Sequence, residues 1–79
     1  MKPSLVDLPL GQHAEIVSID CGRRLSRRLM EMGLLPGTRI RVVRVAPLGD
    51  PIEVRVRNYS LSVRRAEAAK IAVNPEGTA

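Results

Sequence analysis

Apolar and polar residues alternate along several short segments of this chain, and alternation of period two is typical of half-buried β-strands. Val, Ile and Leu dominate these segments, and β-branched residues favour strands. The pattern predicts five strands, at residues 14–19, 38–46, 52–57, 60–63 and 71–73. In the first of them, Glu15 and Ser18 are expected to face solvent.

The longest of these segments contains a break in its own pattern. Ile40 and Val42 share one phase of the alternation, whereas Val43 and Val45 occupy the other. Because a shift of one residue moves every following side chain to the opposite face, the slip predicts a β-bulge near Val42 and Val43.

A helix is predicted between the first two strands, over residues 23–32, which contain good helix formers and no Gly or Pro. Leu25, Leu29 and Met32 fall at i, i+4 and i+7, so they share one face. Gly33 is expected to end the helix in the left-handed conformation that favours glycine. Asp20 is interpreted as a cap for its start or as a residue of the turn before it.

Turn residues separate the other elements. Pro36 and Gly37 fit the two central positions of a type II turn, where the second residue needs a positive φ. Asn58 is expected to supply a positive φ in a tight turn with Tyr59. Gly49 lies in a stiff, exposed loop at residues 46–51, and residues 64–70 predict one or two helical turns.

These elements predict a mainly β fold: a small SH3-like β-barrel of about five strands, with one inserted α-helix and a short C-terminal helical turn. Residues 1–79 are interpreted as a single domain with its core in residues 5–73. Leu5, Leu8 and Leu10 are expected to cover one end of this core. The polar residues 74–79 are expected to form a frayed tail.

The charge of the chain favours an anionic partner, which could be nucleic acid, an anionic membrane surface or an acidic protein face, although an arginine excess alone is more often a solvated surface. Eleven arginines and two lysines give a net charge of +5 and a pI of about 10.7. Nucleic acid bound through phosphates is therefore an alternative function. It is the less favoured one, because Tyr59 is the sole aromatic residue and bases have no stacking platform. The sequence shows neither a signal peptide nor a membrane-spanning run, and this predicts a cytoplasmic protein.

The residue types needed for catalysis or metal binding do not occur at recognisable spacings. His13, Cys21, Met30, Met32, Asp7 and Asp50 are the conceivable ligands, but no paired His, CxxC or carboxylate cluster joins them. One His and one Cys without a recognisable setting do not indicate a nucleophile and its base. We therefore expect no enzyme, no cofactor and no intrinsic metal site, and leave open a metal held adventitiously or between chains.

Four sequence pieces, in a fixed order from Leu5 to Val73, resemble the FeoA family. They are Leu5-x-Asp7-Leu8-x-x-Gly11-x-x-Ala14-x-Ile16, Arg28-Leu29-x-x-Met32-Gly33-Leu34-x-Pro36-Gly37, Ala46-Pro47-Leu48-Gly49-Asp50-Pro51 and Leu61-Ser62-Val63-Arg64-x-x-Glu67-Ala68-x-x-Ile71-x-Val73. Members of this family are small cytosolic accessory proteins of bacterial ferrous iron transport. The resemblance implies an SH3-like barrel that acts with FeoB, the membrane transporter, at the inner face of the membrane. The chain departs from the family at Asn58, where members usually have Gly.

The resemblance directs attention to surface residues that could contact such a partner. The helix, the link after it and the 46–51 loop are expected to form one docking surface, with Leu35 as the preferred contact. A solvated helix face is an equally good interpretation of the arginines, with Glu31 pairing to Arg27 or Arg28. Packing over the barrel mouth is the favoured interpretation of Leu34. The candidate contacts are Arg23, Arg27, Arg28, Met30, Leu34, Leu35, Leu48 and Asp50, and the structural turn residues are Gly33, Pro36, Gly37, Gly49 and Asn58.

Overall fold

A computed structural model describes residues 3–76 of the chain, which form a five-stranded antiparallel sheet with two helices. The strands are β1 (His13–Ile19), β2 (Arg39–Val45), β3 (Ile52–Val56), β4 (Tyr59–Val63) and β5 (Ile71–Pro75). Helix α1 (Arg23–Glu31) connects β1 to β2, and the four-residue α2 (Arg65–Ala68) connects β4 to β5. Single 3₁₀ turns lie at Leu5–Asp7 and Pro47–Gly49. Among residues 3–76, no helix is long and apolar enough to cross a membrane.

The sheet encloses an aliphatic core. Its strands lie in the order β4-β3-β2-β1-β5, and buried side chains from all five belong to one hydrophobic cluster. Leu29 of α1 and Ala68 of α2 also belong to the cluster, as do Leu5, Leu8 and Leu34. Both edge strands contribute to the cluster, so the sheet curves around it. The predicted mainly β architecture, with an inserted helix and a short C-terminal helix, is confirmed.

Two β-bulges bend the sheet. The pairing of β2 with β3 shifts between Val42 and Arg44, where the sequence predicts a bulge. A second shift, in the pairing of β1 with β5, lies between Ile16 and Ser18. The second bulge explains why Glu15 and Ser18 are both exposed, because residues three apart in a regular strand would face opposite sides.

Helix α1 begins at the predicted residue and ends before the predicted glycine, but its N-terminal cap differs from the prediction. Gly33 follows the helix with φ +106°, and the amide of Leu34 donates to the Leu29 carbonyl at 3.1 Å. The helix starts at Arg23 as predicted, but Asp20 does not cap it, because the residue before the helix is Gly22, with φ +85° and no capping side chain. The Ser26 hydroxyl accepts a hydrogen bond from the Cys21 amide at 3.1 Å, which joins the residue before Gly22 to the first turn of the helix.

The two tight turns differ in how well they were predicted. Gly37 has φ +90°, and the Thr38 amide donates to the Leu35 carbonyl at 2.9 Å, which confirms the type II turn. In the β3–β4 hairpin, Val56 pairs with Tyr59, so the loop is Arg57 and Asn58. The positive φ, +57°, lies at Arg57, and its prediction at Asn58 is therefore wrong by one residue.

Both ends of the described chain pack differently from the sequence prediction. Leu5 and Leu8 are buried as expected, but Leu10 is 67% exposed and is not part of the core. Strand β5 continues to Pro75, and the Glu76 amide donates to the His13 carbonyl at 2.9 Å. A frayed tail is therefore wrong for residues 74–76, and residues 77–79 lie outside the described range.

Candidate functional site

Six large apolar side chains are exposed in the described chain, and the strand register divides them between two opposite ends of β2. The first group, called the helix-end group, consists of Met30, Leu35 and Tyr59. Leu35 precedes β2 in the chain. Tyr59 pairs with Val56 of β3, and Val56 pairs with Ile40 near the start of β2. Leu10, Val45 and Leu48 form the loop-end group. Val45 ends β2, Leu48 follows it, and Leu10 precedes Gly11, whose amide donates to the Val42 carbonyl.

This division concerns the single docking surface predicted from the sequence, which stays a prediction. Strand β2 contains seven residues, so its two ends are about 20 Å apart at roughly 3.3 Å per residue. The link at Leu35 and the loop at Leu48 lie beyond these opposite ends. They are two separate candidate surfaces.

The adjacent leucines after α1 have different roles. Leu34 is fully buried in the core, so its inclusion among the contact residues is wrong and its favoured interpretation as a packing residue is confirmed. Leu35 is 45% exposed, as expected for a contact residue. The Leu35 amide donates to the Gly33 carbonyl at 3.0 Å, so the chain turns at Leu34, and the core covers one leucine and leaves its neighbour exposed.

Tyr59 holds the helix-end group in place, and sequence analysis did not identify it. Its hydroxyl donates a hydrogen bond to the backbone carbonyl of Met32, the residue that follows α1. Gly33 allows this approach, because a Cβ at that position would overlap the Tyr59 hydroxyl and lie 3.2 Å from Cζ. The sequence feature that could have drawn attention to Tyr59 is that it is the one aromatic residue among aliphatic ones.

The arginines of α1 are exposed beside this group. Arg23, Arg27 and Arg28 all face solvent, and the predicted pairing of Glu31 with Arg27 or Arg28 does not occur. Across residues 3–76 the structure contains one ion pair, from Arg39 Nε to Glu76 Oε1 at 2.8 Å. The α1 cations therefore remain available to an acidic surface.

The loop between β2 and β3 presents Leu48 in an unusual conformation. Leu48 is fully exposed and has φ +71°, a region in which a residue with a Cβ costs about 1–2 kcal/mol. Gly49, with φ +81°, is the turn residue expected here. Asp50 precedes a cis proline and accepts a hydrogen bond from the Arg65 amide at 3.0 Å, so it anchors the loop to α2. Strained residues that gain no packing are found preferentially at functional sites.

A basic cleft of about 600 Å³ lies on the outer face of the sheet, next to Leu35. Arg39 and Arg41 of β2 line it together with Arg55 of β3 and Arg57 of the hairpin loop. The cleft was not predicted from the sequence. Arginines two residues apart in a strand share a face, so the spacing of Arg39 and Arg41 could have predicted a basic surface.

Cys21 is half-buried, and its thiol donates to the Glu67 carbonyl at 3.6 Å. Burial raises the pKa of this thiol, and the Glu67 carboxylate raises it further. Such a group is a poor nucleophile at neutral pH. Within the described residues, no three His, Cys, Asp or Glu side chains converge as a metal site would require. The expectation that the chain has no cofactor stays a prediction.

Comparison with known proteins supplies the family. The family model described as the FeoA domain matches residues 4–75. A Fe(2+) transport protein A/Fe(2+) transporter FeoB fusion protein from Porphyromonas gingivalis is 42% identical over 69 residues, which cover 87% of this chain and 8% of the fusion protein. The chain therefore spans less than a tenth of that relative.

Solved structures of FeoA proteins have the same fold. The FeoA protein of Chlorobium tepidum is 41% identical, with a TM-score of 0.91, over 96% of this chain and 72% of that one. Stenotrophomonas maltophilia FeoA, complexed with zinc and described as a prokaryotic SH3 domain protein, is 30% identical with a TM-score of 0.78, over 96% and 98% of the two chains. The predicted SH3-like fold is thus confirmed. The chain forms a five-stranded barrel with an inserted helix, and the family model matches nearly its whole length. It therefore belongs to the FeoA family, which is associated with ferrous iron transport.

Proposed function

We propose that this protein is a non-enzymatic accessory protein that docks on the cytosolic part of a FeoB-type ferrous iron transporter and modulates its activity. One observation supports this most strongly: in the Porphyromonas gingivalis relative, a region 42% identical to this chain belongs to the same polypeptide as the transporter. Fusion raises the effective concentration of one partner near the other. The same contact would form between separate chains if the affinity suffices.

The helix-end group is the surface we assign to this docking. Met30, Leu35 and Tyr59 expose apolar area in a part of the fold held by the hydrogen bond from Tyr59 to Met32. Arg27 and Arg28 are exposed on the same helix as Met30, and exposed apolar residues together with arginine are typical of protein interfaces. A rigid surface of this kind loses little conformational entropy on binding.

Docking would modulate the transporter through differential affinity. A protein that binds one conformation of its partner more tightly shifts the partner toward that conformation. By the same linkage, the conformation of the transporter would change its affinity for this domain. The Stenotrophomonas homologue has been suggested to act as a ferrous iron transport activating factor, and activation is one direction of such a shift.

The test is co-purification of the tagged protein with detergent-solubilised, nuclease-treated membranes of its own host, with bound proteins identified by mass spectrometry. We expect the wild type to recover the transporter and Leu35→Asp to lose it. Leu48→Asp is the matched control, because it makes the same change at an exposed leucine of the loop-end group, and it should bind like the wild type. Circular dichroism must show that both variants fold.

Three other outcomes would have distinct meanings. Loss of binding in Leu48→Asp alone would assign docking to the loop-end group. Unfolding of Leu35→Asp would show that the residue is part of the core. Recovery of ribosomal proteins in place of the transporter would overturn the proposed function.

A further inference from the structure

Three basic residues form a row across the outer face of the sheet. Arg41 of β2 lies directly opposite Arg55 of β3, and on its other side it lies opposite His13 of β1. Residues paired in this way have Cα atoms about 4.5–5.5 Å apart, and like charges placed directly opposite each other destabilise a sheet. The fold therefore bears a local electrostatic cost at the centre of its sheet.

The neighbouring acidic groups do not remove this cost. Glu76 forms its ion pair with Arg39, and Glu15 is the strand partner of that same arginine. No carboxylate lines the cleft, and within residues 3–76 neither Arg41 nor Arg55 has an ion-pair partner. Exposed arginines are not needed for packing at these positions, so neutral residues would serve the fold better. An unfavourable arrangement that the fold does not require indicates a ligand of opposite charge.

We infer that this cleft binds an acidic, extended segment of the partner protein. Arg41 and Arg55 would each hold a carboxylate, since the guanidinium group matches carboxylate geometry with two parallel hydrogen bonds. Leu35 and Pro36 form an apolar wall of the same cleft and would contact an aliphatic side chain of the segment. Because Leu35 belongs both to this wall and to the helix-end group, the inference rests on the proposed function and names the chemistry of its partner.

The cleft fits other anions less well. Tyr59, the only aromatic residue of the chain, does not line the cleft, so stacking with bases has no platform there. A membrane surface is broad and flat, whereas these arginines line a concave site of about 600 Å³. A narrow segment with carboxylates and an aliphatic side chain complements both the charge and the apolar wall.

The experiment compares Arg41→Gln/Arg55→Gln with a control that loses the same charge elsewhere, Arg24→Gln/Arg44→Gln. Each is titrated by fluorescence anisotropy, at low salt, with a fluorescein-labelled nonapeptide that repeats Glu-Glu-Leu. We expect the cleft variant to bind about tenfold more weakly than wild type and the control to change little. The same peptide with Gln in place of Glu should not bind. Both variants are also tested in the co-purification, where the cleft variant should recover less transporter than the control.

The two assays separate the inference from the proposed function. If the wild type recovers the transporter and the cleft variant recovers it equally well, the docking function stands and the inference is overturned. If no transporter is recovered but the peptide binds in the expected way, the cleft binds an acidic segment of another protein and the proposed function fails. Equal peptide binding by the two double variants overturns the inference. Tighter cleft-dependent binding of oligodeoxythymidine or of phosphatidylserine vesicles would also overturn it.

Discussion

The hydroxyl of Tyr59 in β4 donates a hydrogen bond to the backbone carbonyl of Met32, at the C-terminal end of α1. This bond joins the inserted helix to an edge strand 27 residues further along the chain. It also satisfies one of the carbonyl groups that the end of a helix leaves without an intrahelical partner. Gly33 makes the contact sterically accessible, so the helix stop and the tertiary contact depend on the same residue.

Gly33→Ala should therefore destabilise the protein through two effects. An alanine at φ +106° costs about 1–2 kcal/mol, and its Cβ would displace the Tyr59 hydroxyl. The loss of that hydrogen bond adds about 0.5–1.5 kcal/mol. Urea denaturation measures the sum.

Tyr59→Phe is the control that separates the two effects. It removes the oxygen that a Cβ would displace, so Gly33→Ala should be less costly in the Tyr59→Phe background than in the wild type. Additive effects of the two substitutions would show that Tyr59 and Gly33 are not in contact.

Leu48→Gly should stabilise the protein. Leu48 has φ +71° and a fully exposed side chain, so glycine relieves backbone strain without removing packing. Glycine makes the unfolded chain more flexible, which offsets part of the gain and leaves about 0–1 kcal/mol of added stability. A higher midpoint of thermal unfolding is the expected result, and Leu48→Ala, which keeps a Cβ, should not show it. Destabilisation by Leu48→Gly would show that the side chain packs against the fold.

Removal of either arginine from the opposed pair should raise stability. Arg41→Gln and Arg55→Gln each relieve the same repulsion, by about 0.2–1 kcal/mol at low salt, and the second substitution should add little to the first. The gain should shrink as salt screens the charges. Urea denaturation at low and high salt measures both features. Lower stability of the single variants at all salt concentrations would show that these side chains stabilise the free protein.

The stability contributed by Cys21 should fall at alkaline pH. The pKa of its thiol is raised in the folded state, chiefly by burial, so the folded protein retains the proton to a higher pH than the unfolded chain does. The resulting stabilisation is fully present below the thiol pKa of the unfolded chain, about 8.5, and is lost as pH rises through the folded-state pKa. The free energy of unfolding of wild type minus that of Cys21→Ala should decrease above about pH 8.5. A difference that stays constant with pH would show that the thiol titrates normally.

Local features of the fold were predictable because they depend on neighbouring residues. Gly33 and Gly37 have the positive φ that their positions in a helix stop and a type II turn require. The bulge after Val42 followed from the phase of the apolar residues, which reports directly on which face is buried. The position of the hairpin loop was missed by one residue, because the register of β3 against β4 placed the positive φ at Arg57, a residue with no intrinsic preference for it.

The candidate site depended on distances that no local pattern contains. The sequence determined by itself that the chain forms a small, basic, mainly β barrel with an inserted helix, because alternation, helix stops and turn residues act over a few positions. Only the tertiary structure decided that Leu34 is buried, that the Tyr59 hydroxyl reaches the Met32 carbonyl, and that Arg41 lies opposite Arg55. Those relationships depend on strand register and on the curvature of the sheet. Both are determined by the packing of the whole core, which brings together residues that are far apart in the sequence.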